Sequence, residues 1–287
     1  MSTTTAVWEK SERQRERERL RRRAAVRSGS IATVSTVVFV VIAAWAIVNS
    51  PGWPRVKETF FSGEAFAMSF PEVLAGFWKN VQIFVIAELL ILPLGLLVAV
   101  VRGLKTPVFF PLRALAVAYT DIFRGTPTLL VVYLIGFGLP ALNLKGVPSD
   151  PMVLAVIALT LSYGAYVAEV FRAGIDTVHP SQRAAARSLG LGHLQTMRFV
   201  VLPQAVRRVA PPLLNDFVSL QKDTAMASVI GVIEALRQAQ IDAGKMFNYT
   251  PYLVAALLFV ALTVPMARLT DYLAARATRR RGPGGGV

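Results

Sequence analysis

The chain has 287 residues, of which 54% are hydrophobic and 17% charged; that charged share is below the quarter or so typical of soluble globular domains, so its apolar surface requires lipid as solvent. It has no cysteine and only two histidines, His179 and His193, which excludes a disulfide framework, a thiolate metal site and a zinc site. The formal net charge of +14 concentrates in the terminal arms and between apolar runs, a pattern that marks membrane topology rather than nucleic-acid binding.

In chain order, residues 1–30 read as a basic cytoplasmic arm whose arginine cluster holds this end inside and contacts anionic lipid. Residues 31–48 carry no charge and have the length of a membrane-spanning helix; Asn49-Ser50-Pro51 behind them looks like a turn rather than a cleavage site, so the run is expected to stay as an anchor. Residues 49–75 are an outer-side connection, with Trp53 and the later Trp78 at the interface. A short helix is expected to lie on the membrane surface over 71–80. A second span follows over 81–101, containing Pro93, Gly95 and Glu88, before Arg102, Lys105 and Arg113 mark a cytoplasmic turn.

The third apolar stretch, 112–140, holds Asp121 and Arg124 ahead of Gly125-Thr126-Pro127, which predicts a break in mid-membrane. A polar outer turn at 143–151 leads to a fourth span over 152–171, and the basic segment 172–201 is placed in the cytoplasm. The next helix is expected from about Gln204 through Pro211 and Pro212 towards Gln221. Residues 225–233 are too short to span and read as re-entrant or as half of a broken helix. Residues 234–250 return to polar sequence outside, 251–267 make the last crossing, and 276–287 form a basic, Gly-rich cytoplasmic tail. The expected fold is an all-α membrane protein: a polytopic bundle of about six transmembrane helices with both termini inside.

No phosphate-binding Gly-rich loop, His-Glu-x-x-His or Gly-x-Ser-x-Gly pattern occurs, so no catalytic residue is assigned and the chain is not expected to be an enzyme. The informative segment is Gln182-Arg183-Ala184-Ala185-Ala186-Arg187-Ser188-Leu189-Gly190, followed by an amphipathic stretch and Val200-Val201-Leu202-Pro203. Its alanines favour a short helix with a shallow face, Gly190 can end that helix with φ > 0, and Pro203 suits the start of the next span. Such a helix, turn and helix suits docking of another protein, or serves as a plain connection.

The order Ala-Ala, three residues, Gly, nine residues, aliphatic, one residue, Leu-Pro resembles the EAA loop of permease subunits in bacterial ABC importers. Phe123-Arg124-Gly125-Thr126-Pro127, Gly164-Ala165-Tyr166-Val167-Ala168-Glu169, Leu202-Pro203-Gln204-Ala205 and Leu220-Gln221-Lys222-Asp223-Thr224 are similar to signatures of the polar amino-acid branch of that family. The resemblance covers residues 76–275, with the loop at 172–203. It implies the transmembrane subunit of an ATP-driven amino-acid importer in the bacterial cytoplasmic (inner) membrane. Its implied partners are two separate ATPase subunits that use the ATP, a second permease, identical or homologous, and an extracytoplasmic solute-binding protein. No cofactor is bound by this chain itself. Docking to the ATPase falls on Gln182, Ala184, Ala185, Ala186, Gly190, Leu202 and Pro203. Two features depart from the family: Ala184 stands where the loop carries its Glu, so docking rests on shape more than charge, and Trp78-Lys79-Asn80-Val81 replaces a Thr-Leu pattern ahead of the second span.

Charges inside a bilayer are costly and mark pathways. Glu88, Asp121, Arg124, Glu169, Lys222 and Asp223 are the candidates. Asp121 and Arg124 are spaced for an intrahelical pair, Glu169 and Arg172 likewise, while Glu88 has no local partner. A pathway holding both signs suits an amino acid. The same machine moving an opine, a sulfur compound or a compatible solute, and a secondary transporter working without ATP, remain open alternatives at the level of sequence.

Overall fold

The computed structural model describes residues 11–104 and 106–279, and every regular element among them is helical. The first ten residues of the expected arm, Lys105, and residues 280–287 of the expected tail lie outside the described residues. The chain divides into two compact units, Met1–Glu58 and Thr59–Val287.

In the first unit, α1 (Glu12–Val48) is a single 37-residue helix, about 55 Å long at 1.5 Å per residue. Ser11 precedes it and donates its backbone N–H to Gln14 Oε1 at 3.3 Å. The segment Val26–Val48 is apolar enough to span a membrane. Within it, the hydroxyls of Thr33 and Thr36 donate to the carbonyls of Gly29 and Ala32 at 2.9 and 2.8 Å, which satisfies both polar groups inside the helix where lipid offers no acceptor.

In chain order there follow α2 (Trp53–Phe60), α3 (Gly63–Arg102), a 3₁₀ turn Pro107–Phe109, α4 (Phe110–Gly125), α5 (Thr128–Tyr133), a π-helical turn Leu134–Gly138 and α6 (Leu139–Ala141). Then come α7 (Pro151–Asp176), α8 (Pro180–Ser188), α9 (His193–Thr196), a π-helical turn Met197–Val201, α10 (Leu202–Asp223), a 3₁₀ turn Thr224–Ile230, α11 (Ala235–Met246) and α12 (Thr250–Arg279).

The expected surface helix at 71–80 does not exist as a separate element. It lies within the first half of α3, 40 residues long, which runs through Pro71 and Pro93 without a break. Its buried residues explain the continuity: Ala65, Ser69, Val73, Gly76, Asn80, Phe84, Ala87, Ile91, Gly95 and Val98 recur every three or four positions and form one uninterrupted stripe. Along that stripe sit three apolar clusters. Val73 and Phe77 meet Ala235, Ala239 and Val254; Ile83, Ala87 and Ile91 meet Leu154, Leu159 and Leu220; Val98 meets Ala116 and Ala168. α7 lies at the centre, buried on several faces by Ala, Gly and Ser as well as Leu and Val, small residues that allow close helix approach.

Four segments are long and apolar enough to cross a membrane: Val26–Val48, Trp53–Arg102, Pro151–Asp176 and Thr250–Ala274. The expected break at Gly125-Thr126-Pro127 is present, and its two arms, Pro107–Gly125 and Thr128–Ala141, meet at 107° and make a fifth if counted as one broken span. Thr126 is extended at φ −101°, ψ 130°, as the residue before a proline tends to be. The sixth expected crossing falls on α10, whose 22 residues could cover about 33 Å. It carries Arg207, Arg208, Asp216, Lys222 and Asp223, which keeps it outside the apolar set.

Two further expectations are corrected. Residues 225–233 are not half of an α-helix; they begin as a buried 3₁₀ turn that Gly231 closes at φ 95°. Residues 234–250 are not simply polar outer sequence, because α11 packs on the start of α3 and buries Glu234 and Asp242. The approach is close: a Cβ at Gly76 would lie 2.8 Å from the Glu234 carbonyl carbon and 2.9 Å from Ala235 N. Backbone cannot yield there as a side chain could. Gly76→Ala is therefore expected to destabilise the fold by about 1–3 kcal/mol, whereas Gly138→Ala, which meets open space, changes little; thermal unfolding in detergent micelles measures both.

Candidate functional site

The alanine-rich segment folds as expected into α8, with Pro180 in its first turn and the His179 ring accepting from the Ser181 N–H at 3.2 Å. Gly190 follows at φ 80°, a conformation in which a side chain would be strained. α9, the π-helical turn and α10 then continue as one helical run in which Pro203 occupies the first turn of α10. Gln182, Ala184, Ala185, Gly190 and Pro203 are exposed and Ala186 is buried, while the Leu202 side chain lies outside the described residues. Two arginines fix this element to α7, whose helix end leaves carbonyls without intrahelical donors. Arg183 of α8 donates to the Ile175 carbonyl and Arg208 of α10 to the Thr177 carbonyl, each at 2.5 Å. Leu189, 83% exposed beside Gly190, is an apolar contact that sequence reasoning passed over; its signal was a leucine at the end of an otherwise polar short helix.

The six charged candidates do not form one constellation. Glu169 sits at the centre of an ion cluster: Arg102 lies 2.6 Å away, Arg172 3.0 Å and Arg124 3.8 Å. Arg172 also reaches Asp176 at 3.3 Å. The expected Glu169–Arg172 pair is thus real but part of a larger set that joins α3, α4 and α7. The expected Asp121–Arg124 pair is absent among the described residues. Arg124 turns instead to Glu169, and Asp121 is exposed. Arg102 entered the sequence reading only as a topology marker, because its partner is 67 residues away.

Glu88 is half-buried, has no hydrogen bond or ion pair among the described residues, and is near enough to Asp216 of α10 for the two charges to interact. One Asp216 carboxylate oxygen is itself buried without a partner. Asp223 accepts from the Tyr163 hydroxyl at 2.8 Å, and its neighbour Lys222 is exposed.

A second polar set near the middle of α3 was missed. Asn80 donates to Glu234 Oε2 at 2.8 Å and to Thr224 Oγ1 at 3.2 Å, and its own carbonyl accepts from the Ala235 N–H at 3.1 Å. Glu234 also caps α11 by accepting from the N–H groups of Leu236 and Arg237 at 3.0 and 2.9 Å. Burial raises the Glu234 pKa, opposed by these three hydrogen bonds to its carboxylate. Asn80 was noticed only as a departure from a family pattern, since Glu234 lies 154 residues on.

Removing the central carboxylate leaves guanidinium groups facing one another. Glu169→Gln is expected to cost about 2 kcal/mol or more, below the roughly 3–5 kcal/mol of a fully buried pair because Glu169 is 24% exposed. Adding Arg102→Gln should recover part of that loss. Strictly additive costs in the double-mutant cycle would show that the two groups are not coupled.

Comparison with known proteins agrees with this architecture. The family model described as "Binding-protein-dependent transport system inner membrane component" matches residues 91–279. The arginine transport system permease protein ArtQ of Bacillus subtilis (strain 168) is 34% identical over 68% of this chain and 87% of its own length. The putative glutamine transport system permease protein GlnP of Rickettsia prowazekii (strain Madrid E) is 37% identical over 67% of this chain and 86% of its own. Among solved structures, an amino acid ABC transporter crystallised with histidines matches with a TM-score of 0.68 at 31% identity, over 75% of this chain and 98% of that one. A helical, multi-pass membrane chain with these matches belongs to the family of inner membrane components of binding-protein-dependent transport systems.

Proposed function

We propose that the chain is the permease subunit of an ATP-driven amino-acid importer, forming half of the pathway and docking a separate ATPase through residues 182–203. The observation that carries this reading is the α8, Gly190, α9 element. The exposed Ala184 and Ala185 offer a shallow surface for another protein, Arg183 bonds α8 to the Ile175 carbonyl of α7, and Arg208 bonds α10 to the Thr177 carbonyl just after α7. A push on α8 is therefore delivered to two bundle helices as a rigid movement, and ATPase closure shifts the bundle between inward and outward access through contacts that differ in the two states. The permease core spans 76–275, preceded by the arm 1–30, the extra helix 31–48 and the connection 49–75, and followed by the tail 276–287.

Charge placement supports a paired pathway. Asp121 and Lys222 are exposed on this single chain, within helices of the bundle. Lipid would not tolerate them, so they face a water-filled route completed by a second permease. Glu88, Asp121, Arg124, Glu169, Lys222 and Asp223 supply both signs to that route, which suits a cargo with an amino and a carboxylate group. The arginine and glutamine systems among the relatives point the same way. Two ATPase subunits act from the cytoplasm of a bacterium, where both termini lie, and a solute-binding protein delivers cargo outside the inner membrane.

Reconstituted with its partners, the chain is expected to import a radiolabelled amino acid only when ATP is present; uptake sustained by an ion gradient alone would overturn the reading. Gly190→Val places a β-branched residue at φ 80° and is expected to abolish co-purification of the ATPase while membrane insertion persists. Undiminished co-purification would remove the docking assignment.

A further inference from the structure

At the end of the bundle remote from α8, a cavity of about 340 Å³ opens between the π-helical turn after α5, the 3₁₀ turn after α10 and the first turns of α11. Its position follows from contacts along α3. Gly76 abuts Glu234 and Glu72 accepts from Gln238 at 2.7 Å, whereas the arginine cluster begins at Arg102. Thirty residues of helix separate Glu72 from Arg102, about 45 Å, more than the roughly 30 Å hydrocarbon thickness.

Arg237, Gln240 and Ser228 supply the polar groups of the cavity, and Tyr133 and Phe137 its aromatic side. The two rings stack at 5.9 Å and both are about half exposed. The walls are held from behind. Gly136 lies directly on Ile230, with no room for a Cβ, and α11 is fixed at its start by the Glu234 cap. Arg237 is exposed and donates from Nη1 to Gln240 Oε1 at 3.1 Å. It has no carboxylate partner among the described residues, whereas Arg102, Arg124 and Arg172 all do. An unpaired guanidinium fork beside exposed aromatic rings has the composition of a protein-binding hot spot.

We propose that this cavity seats an acidic side chain presented by the extracytoplasmic solute-binding protein, with Arg237 as the bidentate partner and Tyr133 and Phe137 as its apolar border. This rests on the importer reading, which supplies such a protein at this end. The seat is built on the turn that ends α10 and on α11, which packs against α3, so occupancy is felt by helices that also run to the α8 end.

The test uses the complete transporter in proteoliposomes and reads the concentration of amino-acid-loaded binding protein that gives half-maximal stimulation of ATP hydrolysis. Arg237→Glu should raise that concentration at least tenfold and reverse the sign of its dependence on salt, while Arg237→Lys, which keeps charge but loses the fork, should raise it only a few-fold. Lys245→Gln, a cation on α11 outside the cavity, should leave it within about twofold of wild type. Co-purification of each variant with the ATPase reports that it has folded. An acid-to-arginine exchange on the binding protein that restores Arg237→Glu would identify the seated residue. Equal half-maximal concentrations for wild type and Arg237→Glu would overturn the inference. So would lost uptake at an unchanged half-maximal concentration, which would assign the cavity to the carboxylate of the free amino acid. Wild-type transporter that the binding protein fails to stimulate would overturn the importer reading itself, and this inference with it.

Discussion

Hydrocarbon bonds to nothing, so every polar group within the bundle needs a partner in the chain, in another chain or in a water-filled route. That constraint orders most of what is seen here. Thr33 and Thr36 bond back to their own helix, and Thr263 donates to Gln221 at 2.6 Å to join α12 to α10. Asn80 and Glu234 use nearly all of their capacity on one another and on the start of α11. Among the described residues, Glu88 and one carboxylate oxygen of Asp216 find no such partner.

The same constraint makes α3 the axis of the bundle. One helix carries the polar set at Asn80, the apolar cluster around Ile83 and Ile91, and the ion cluster at Arg102. Because a helix is stiff along its length and its interior neighbours are close-packed, displacement at one end is transmitted rather than absorbed. Glu169 makes the Arg102 end of α3 a junction of three helices, and Arg183 and Arg208 join α8 and α10 to the end of α7. Coupling in this fold therefore requires no covalent chemistry, only a rigid set of helices with two arrangements.

Much of this was legible one residue at a time. Apolar run length identified most of the membrane-crossing helices, and Gly125-Thr126-Pro127 announced the break because a proline restricts the residue before it and offers no N–H. The three alanines with Gly190 announced the short helix α8 and the turn after it for equally local reasons. What misled was also local. Pro71 and the polar residues near it suggested a separate surface helix, but the stripe from Ala65 to Val98 packs on α7, α11 and α12 and outweighs the missing hydrogen bond. Asp121 and Arg124 had intrahelical spacing, yet Arg124 found a carboxylate on α7 already shared by two other arginines.

The sequence by itself determined the class of solvent, the approximate helical segments, the position of the break and the shape of the turn at Gly190, because hydropathy, proline geometry and glycine's access to positive φ act within a few residues. Only the tertiary structure decided which charges are paired. It alone brought Arg102 to Glu169 and Asn80 to Glu234, and it alone left Arg237 without an acid beside a cavity. Those outcomes depend on side chains 67 to 154 residues apart meeting in a medium where an unmet charge is costly, and no local pattern records such meetings.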